Sequence, residues 1–323
     1  PPQSVRVARS NPMRILITGG AGFIGSLIAQ AYLDRGDHVV IVDSLVTGTA
    51  SQVPVGATLI EQDIRDPDLV RTVTEHGPFD VISHHAALKD VRKALLDPRA
   101  DADVNILGMI NVLRAAAEGG AGRLVFASSA AVYGDAKVFP TPEDVECIPI
   151  SPYGISKMTG ELYGRYFALN RSLPVIALRY GTVYGTFTPE ASEAGVITIF
   201  TRRLLSGDVP VIYGDGLQTR DFVNVEDIVR ANILVGDAPM HAPWAVYNVS
   251  TGVETNVNDL AGTLISLSGA NCSPRYEGAK AGEVRRNLQD ASRLREAVGW
   301  APEIQIGQGL SAVVEATRHG SRG

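Results

Sequence analysis

Arg14 to Thr18 (R-I-L-I-T) is a compact apolar run that stops in glycines. From Ala21 to Leu33 apolar residues recur at helical spacing, and the pattern ends at Gly36. Further runs follow: H-V-V-I-V-D from His38, T-L-I-E-Q-D from Thr58, F-D-V-I-S-H from Phe79 and R-L-V-F-A-S-S from Arg123. Each has strand length and is apolar at successive positions, as a strand covered on both faces must be. Helical or turn segments separate them, which predicts an α/β fold built on a doubly wound parallel sheet. Ligands of such sheets bind beyond the carboxyl ends of the strands.

After Tyr180 the pattern changes. Thr186 to Gly195 (T-F-T-P-E-A-S-E-A-G) predicts a loop, the stretch from Val196 to Leu205 a helix, and P-V-I-Y-G a short strand. The expected organisation is a Rossmann-type domain over 13–180, with later strands contributed by 210–250. A smaller C-terminal α/β substrate lobe is expected mainly over 181–320. Residues 1–12 lack the apolar segment of a secretory signal and are expected to be a leader or a cloning remnant.

Composition narrows the partners. A net charge of −6 over 323 residues argues against bulk electrostatic binding of nucleic acid. Cys147 and Cys272 are the two cysteines and form neither a disulfide framework nor a metal spacing, so a reducing, cytoplasmic setting is expected. The pair His84-His85 has no ligand pattern around it, and no metal is expected. No apolar run reaches the length of a membrane span.

Two strand ends carry candidate chemistry. At the first, T-G-G-A-G-F-I-G spaces Gly19, Gly22 and Gly25 as G-x-x-G-x-x-G between a strand and a helix. Gly19 permits the tight turn, Gly22 lets the backbone approach a pyrophosphate, and Gly25 permits close packing of the helix. The helix that starts there aims its amides at the anion. Asp43 ends the next strand, eighteen residues past Gly25. Its carboxylate suits the two adenosine ribose hydroxyls and repels a 2′-phosphate, and the residues after it, Ser44 and Leu45, include no arginine. The dinucleotide expected is NAD rather than NADP.

The second is V-F-A-S-S-A-A-V-Y-G, which brings Ser129 to the ligand edge. Tyr153 and Lys157 follow in S-P-Y-G-I-S-K, four apart at the opening of a predicted helix and therefore on one face. A phenol with a pKa near 10 has to become about a thousandfold more acidic to act near neutrality, roughly 4 kcal/mol of preference for the phenolate. Lys157 beside it, a cationic cofactor ring and hydrogen bonds favour that form. Ser129 can hydrogen-bond the reacting oxygen. Together the three predict a proton-transfer site.

These motifs, with H-H-A-A-L, L-R-Y-G-T-V-Y-G, Y-G-D-G-L-Q-T-R-D-F-V-N-V-E-D and G-W-A-P, resemble those of the extended short-chain dehydrogenases/reductases of the nucleotide-sugar epimerase and dehydratase family. The resemblance spans nearly everything from Met13 onward. It implies cofactor contacts from Phe23, Ile24 and Ser44 beside the glycines and Asp43, with Asp63 and Ile64 flanking the adenine. It implies that Ala86, Ala87 and Lys89 line the cofactor, that Asn105 braces the site and that Tyr180 lies near the nicotinamide. On the substrate side it implies Lys89, Ser129, Ala130, Tyr153, Thr182, Val196, Tyr213 near the nucleobase, Arg220 on the diphosphate, and Lys280 and Glu283. Lys280 stands where the family's R-P-G-D has arginine, giving a point charge without the fork. A homodimer is expected through helices around 100–118 and 153–170, whose apolar stripes exceed what one sheet face requires.

The resemblance also orders the reactions. Dehydratases carry Asp-Glu after the serine, whereas this chain has Ala130-Ala131, so a 4-epimerase is expected, with alanines lining the wall against which a 4-keto sugar turns over. Arg179-Tyr180-Gly181-Thr182 differs from the R-Y-F-N of glucose/galactose epimerases and is closer to glucuronate epimerases, yet Thr186 to Ser192 offers no arginine for a sugar carboxylate. Asn287, at the position that gates N-acetylated sugars, decides nothing. A UDP-glucose or UDP-glucuronate 4-epimerase is expected, the alternatives being another nucleotide-sugar reductase or dehydratase, or a non-catalytic NAD sensor.

Overall fold

The apolar runs form the strands expected of them. The computed structural model describes residues 11–186, 195–279 and 284–320. In chain order the first strands are β1 (Arg14–Thr18), β2 (His38–Asp43), β3 (Thr58–Glu61), β4 (Val81–His84), β5 (Leu124–Ser129) and β6 (Val175–Tyr180). Then come β7 (Thr182–Tyr184), β8 (Val211–Tyr213), β9 (Thr219–Asn224), β10 (Trp244–Val249), β11 (Glu254–Asn256) and β12 (Arg275–Glu277). Among the described residues, seven strands join one parallel sheet in the order β10-β6-β5-β4-β1-β2-β3. The chain winds outward from β1 to β3, returns to β4 and winds the other way, so the topological switch point lies between β1 and β4.

Side chains alternate across this sheet, and both faces are dry. Ile15, Ile17, Val39, Ile41, Val125 and Leu178 enter one apolar cluster, while Leu16, Val40, Val42, Leu124, Phe126 and Ala177 enter the other. Helices α1 (Phe23–Asp34), α2 (Leu69–His76), α3 (Val91–Leu96), α4 (Pro98–Ala102), α5 (Met109–Glu118) and α6 (Pro152–Asn170) accompany the first six strands. Of the segment 210–250, β10 alone enters the main sheet; β8 and β9 pair with β12 and with β7 and β11 in two small sheets. The expected contribution of later strands to the large sheet is thus one strand, together with α8 (Val225–Asp237), which packs on α1.

The smaller lobe has its own core of Phe200, Leu204, Ile212, Phe222, Leu260, Leu264 and Leu310. It is built from α7 (Val196–Leu205), α9 (Val257–Ser268) and α11 (Ile306–Gly320), with α10 (Ser292–Val298) against β10. The helix expected around 100–118 is divided, because a wide π turn, Asp103–Gly108, separates α4 from α5. Asn105 lies in that turn, and its side chain is tied to the backbone of Leu88 through both the carboxamide oxygen and nitrogen, at 2.8 Å each. Among the described residues no helix is long and apolar enough to cross a membrane.

Candidate active site

A cleft of about 710 Å³ opens at the switch point, over the carboxyl ends of β1, β2, β4, β5 and β6. Its first wall is main chain. Gly19 has φ +72°, and a Cβ there would lie 2.5 Å from the Ala86 nitrogen, so only glycine lets the two crossing loops touch. At Gly25 a Cβ would press within 2.3 Å of the Gly19 carbonyl; the close packing is of helix on turn. At Gly22 a Cβ would meet little besides that carbonyl, at 3.3 Å, and would stand in the cleft. No side-chain hydrogen bond caps α1, whose N-cap is Gly22, and its first turn, Phe23 to Gly25, lines the cavity. Asp43 is buried and fixed by the Ala21 amide at 3.0 Å and the Leu45 amide at 2.9 Å. The bond to Leu45 holds that residue at φ +55°, in the left-handed region. A helix N-terminus at the cleft, a glycine cradle and an oriented carboxylate fit a dinucleotide with an unsubstituted adenosine ribose.

The opposite wall is side chains. Ser151 caps α6 by accepting from the Gly154 amide at 3.1 Å, with Pro152 in the first turn. Small residues then let the helix lie close on the sheet: a Cβ at Gly160 would enter the Phe126 ring. Tyr153 and Lys157 share the cleft-facing side, as expected, and both line it with Ser128 and Ser129. Lys157 is buried, donates to the Ala127 carbonyl at 2.8 Å and lies over the Tyr153 ring, 5.7 Å from its centre. Burial drives its ammonium down to about 8, against the pull of Asp101. Ser129 Oγ accepts from the Ala131 amide at 3.2 Å, which leaves its proton for another partner.

The remaining expected residues divide. Phe23, Ile24, Ser44, Asp63, Ile64, Ala86, Ala87, Lys89, Tyr180, Thr182, Val196 and Arg220 line the cleft. Asp63 is held below the usual carboxylate range by hydrogen bonds from Arg65. Arg220 donates to the carbonyls of Thr219 and Val284 at 2.7 and 2.8 Å. Tyr180 is both a cleft residue and a core aromatic, its hydroxyl accepting from Asn232 at 2.7 Å. Asn105, Ala130 and Tyr213 lie outside the cleft lining. Asn105 hydrogen-bonds the Leu88 backbone and donates to Asp101 Oδ1. Ala130 starts a short 3₁₀ turn that rolls it under Val132 and Tyr133, so it does not form the expected wall. Tyr213 ends β8 in the small lobe. Lys280 and Glu283 lie outside the described residues.

Sequence reasoning missed two features. His85 lines the cleft, stacks on Tyr180 at 6.3 Å and shares a 2.9 Å hydrogen bond with Ser83; loss of hydration and the Lys157 charge drive it down to about 3, so its ring is neutral. Its neighbour His84 shares a 2.6 Å hydrogen bond with Thr18. Behind the cleft, Arg179 and Glu161 form a buried ion pair.

A family model described as NAD dependent epimerase/dehydratase matches residues 15–250. The chain belongs to that family. Among curated relatives, a UDP-glucose 4-epimerase of Mycolicibacterium smegmatis is 35% identical over 316 residues, covering 96% of this chain and 100% of the relative. Among solved structures, the UDP-glucose 4-epimerase of Thermotoga maritima with UDP-glucose superposes with a TM-score of 0.91 at 37% identity, over 95% of this chain and 99% of the other. MoeE5, in complex with UDP-glucuronic acid and NAD, superposes with a TM-score of 0.86 at 32% identity, over 95% and 99%. The cofactor of this family member is NAD and it is an isomerase. The glycine turn, uncapped α1 and Asp43 are the residues that would hold NAD.

Proposed function

We propose that the protein is a 4-epimerase of UDP-hexoses, with UDP-glucose and UDP-galactose its substrate pair. The observation that carries this reading is the convergence of Ser129, Tyr153 and Lys157 on one wall of the cleft; the sequence after Ser129 also lacks the Asp-Glu that the resemblance implies for a dehydratase. The names of the two UDP-glucose 4-epimerases compared above support the glucose pair.

NAD held by the glycine turn and Asp43 would supply the hydride acceptor, and afterwards the donor, for sugar C4. Tyr153 takes the proton of the 4-hydroxyl and later returns it. Lys157, buried over the tyrosine ring, favours the phenolate by its charge. Ser129, with its proton free, hydrogen-bonds the same sugar oxygen as it changes from hydroxyl to carbonyl. Between the two transfers the 4-keto sugar turns over in the cleft, and nothing in the cycle consumes cofactor.

Arg92 favours a second substrate pair, UDP-glucuronate and UDP-galacturonate. Arg92 is a residue of the cleft lining, and a guanidinium suits a sugar carboxylate. Product analysis by proton NMR after incubation with a panel of UDP-sugars tests both. Conversion of UDP-galactose to UDP-glucose is the expected result. Conversion of the uronates alone selects the second pair, and release of a 4-keto-6-deoxy sugar refutes epimerisation.

The assembly proposed is a homodimer. Ile155, Leu162, Tyr166 and Leu169 stand exposed at helical spacing on α6, and Leu96 and Leu107 are exposed on α3 and the π turn, both of which pack against α6. Sedimentation equilibrium should give twice the chain mass, and Leu162→Glu should shift it to one chain mass. A wild-type monomer at micromolar concentration refutes the dimer.

A further inference from the structure

The buried pair Glu161–Arg179 is costly to place and lies outside the cleft lining. Both side chains are under a tenth exposed, and they meet fork to fork: Arg179 Nε donates to Glu161 Oε1 at 2.9 Å and Nη2 to Oε2 at 2.7 Å. Desolvation makes such a pair no better for stability than an apolar replacement of the same volume. Its connections suggest another reason for it. Glu161 stands one turn beyond Lys157 on α6, and Ser128, beside Ser129 on β5, donates to Glu161 Oε1 at 2.5 Å. Arg179 immediately precedes Tyr180 on β6 and donates also to the Tyr133 hydroxyl at 2.9 Å and the Glu143 carbonyl at 3.1 Å. Tyr133 in turn donates to Asn248 on β10 at 2.7 Å.

We infer that Glu161 and Arg179 are positioning residues that fix the reacting geometry. One ion pair fastens together the three elements that bear Ser129, Tyr153 with Lys157, and Tyr180. A single charged clamp therefore sets Ser129 through Ser128 beside it, and sets Lys157 and Tyr153 through Glu161, which lies one helical turn beyond the lysine and two beyond the tyrosine. Apolar side chains would fill the same space but could slide against Ser128, whose hydroxyl would lose its acceptor. Proton transfer tolerates little of this, since displacements of about 1 Å cost about a hundredfold in rate.

This inference rests on the epimerase reading, and the experiment separates the two. Wild type, E161Q and the double variant E161M/R179M are compared for melting temperature, bound NAD, KM and kcat with the UDP-sugar turned over by wild type. The double variant should melt at or above the wild-type temperature and retain NAD, yet lose about ten- to a hundredfold in kcat with KM within about threefold. E161Q keeps the shape of the clamp and removes its charge, which leaves the Arg179 guanidinium uncompensated; it should fold with a lower melting temperature, retain NAD and lose kcat by about tenfold. If the double variant does not fold, E161Q decides alone. Wild-type kcat in E161Q, or in a double variant of wild-type stability, overturns the positioning role, as does a loss confined to KM. A wild-type protein inert towards every UDP-sugar instead strikes the function on which the role depends.

Discussion

The two walls of the cleft solve their problems differently. The β1–β2 wall is made of backbone: a glycine turn that crosses within touching distance of the Ala86 loop, an uncapped helix end, and one carboxylate clamped by two amides. The β5–β6 wall is made of side chains drawn from distant parts of the sequence and held by a buried ion pair. A nucleotide pyrophosphate is a fixed anion, and main-chain amides at a helix N-terminus suffice for it. Proton transfer at a sugar hydroxyl needs a group whose acidity is tuned, which the main chain does not offer. The difference predicts that damage to one wall should appear in cofactor retention and damage to the other in turnover.

The largest separation should come from Tyr153→Phe. Removing the proton carrier is expected to lower kcat by about 10²–10⁴-fold, while NAD copurifies at the wild-type ratio. Rapid-quench turnover and cofactor release on denaturation measure the two, and wild-type turnover would erase the distinction between the walls. Lys157→Met should follow, with kcat down by about a hundredfold. Wild-type activity requires the ammonium, whose burial brings it down to about 8, so kcat should fall as pH rises through that value. A pH–rate profile flat from 7 to 9 in the wild type would contradict the assignment. Gly19→Ala, on the other wall, should act in the opposite sense. It forces a Cβ against Ala86 at φ +72°, costing about 1–2 kcal/mol from the conformation alone and more from the clash. The variant should emerge depleted of NAD and melt several degrees lower, and added NAD should partly recover its rate. Full cofactor occupancy in that variant would show that the turn is not the cradle.

The same division explains what could be read from the chain in advance. The glycine turn, Asp43 and the pairing of Tyr153 with Lys157 are local in sequence: each is a strand end, a turn or one helical step, and the sheet follows from the alternation of apolar runs. The clamp is different. Arg179 stands inside the apolar run V-I-A-L-R-Y, and Glu161 on the sheet side of its helix; a charge at each position signals a buried partner, but only the tertiary fold shows that they serve each other. The displacement of Ala130 under Tyr133 depends on a single 3₁₀ turn, and the division of the helix around Asn105 on two hydrogen bonds to a loop seventeen residues away. Neither has a periodic signature. In the smaller lobe, strands of three residues alternate too briefly to reveal which sheet they join.

Internal return of hydrogen at C4 is the central claim, and isotope tracing tests it most directly. Purified protein is incubated with UDP-galactose in deuterium oxide, and the UDP-glucose formed is examined by proton NMR. The account predicts a product that retains its C4 proton, because that hydrogen leaves as hydride and returns to the other face without meeting solvent. Deuterium at C4 would contradict it.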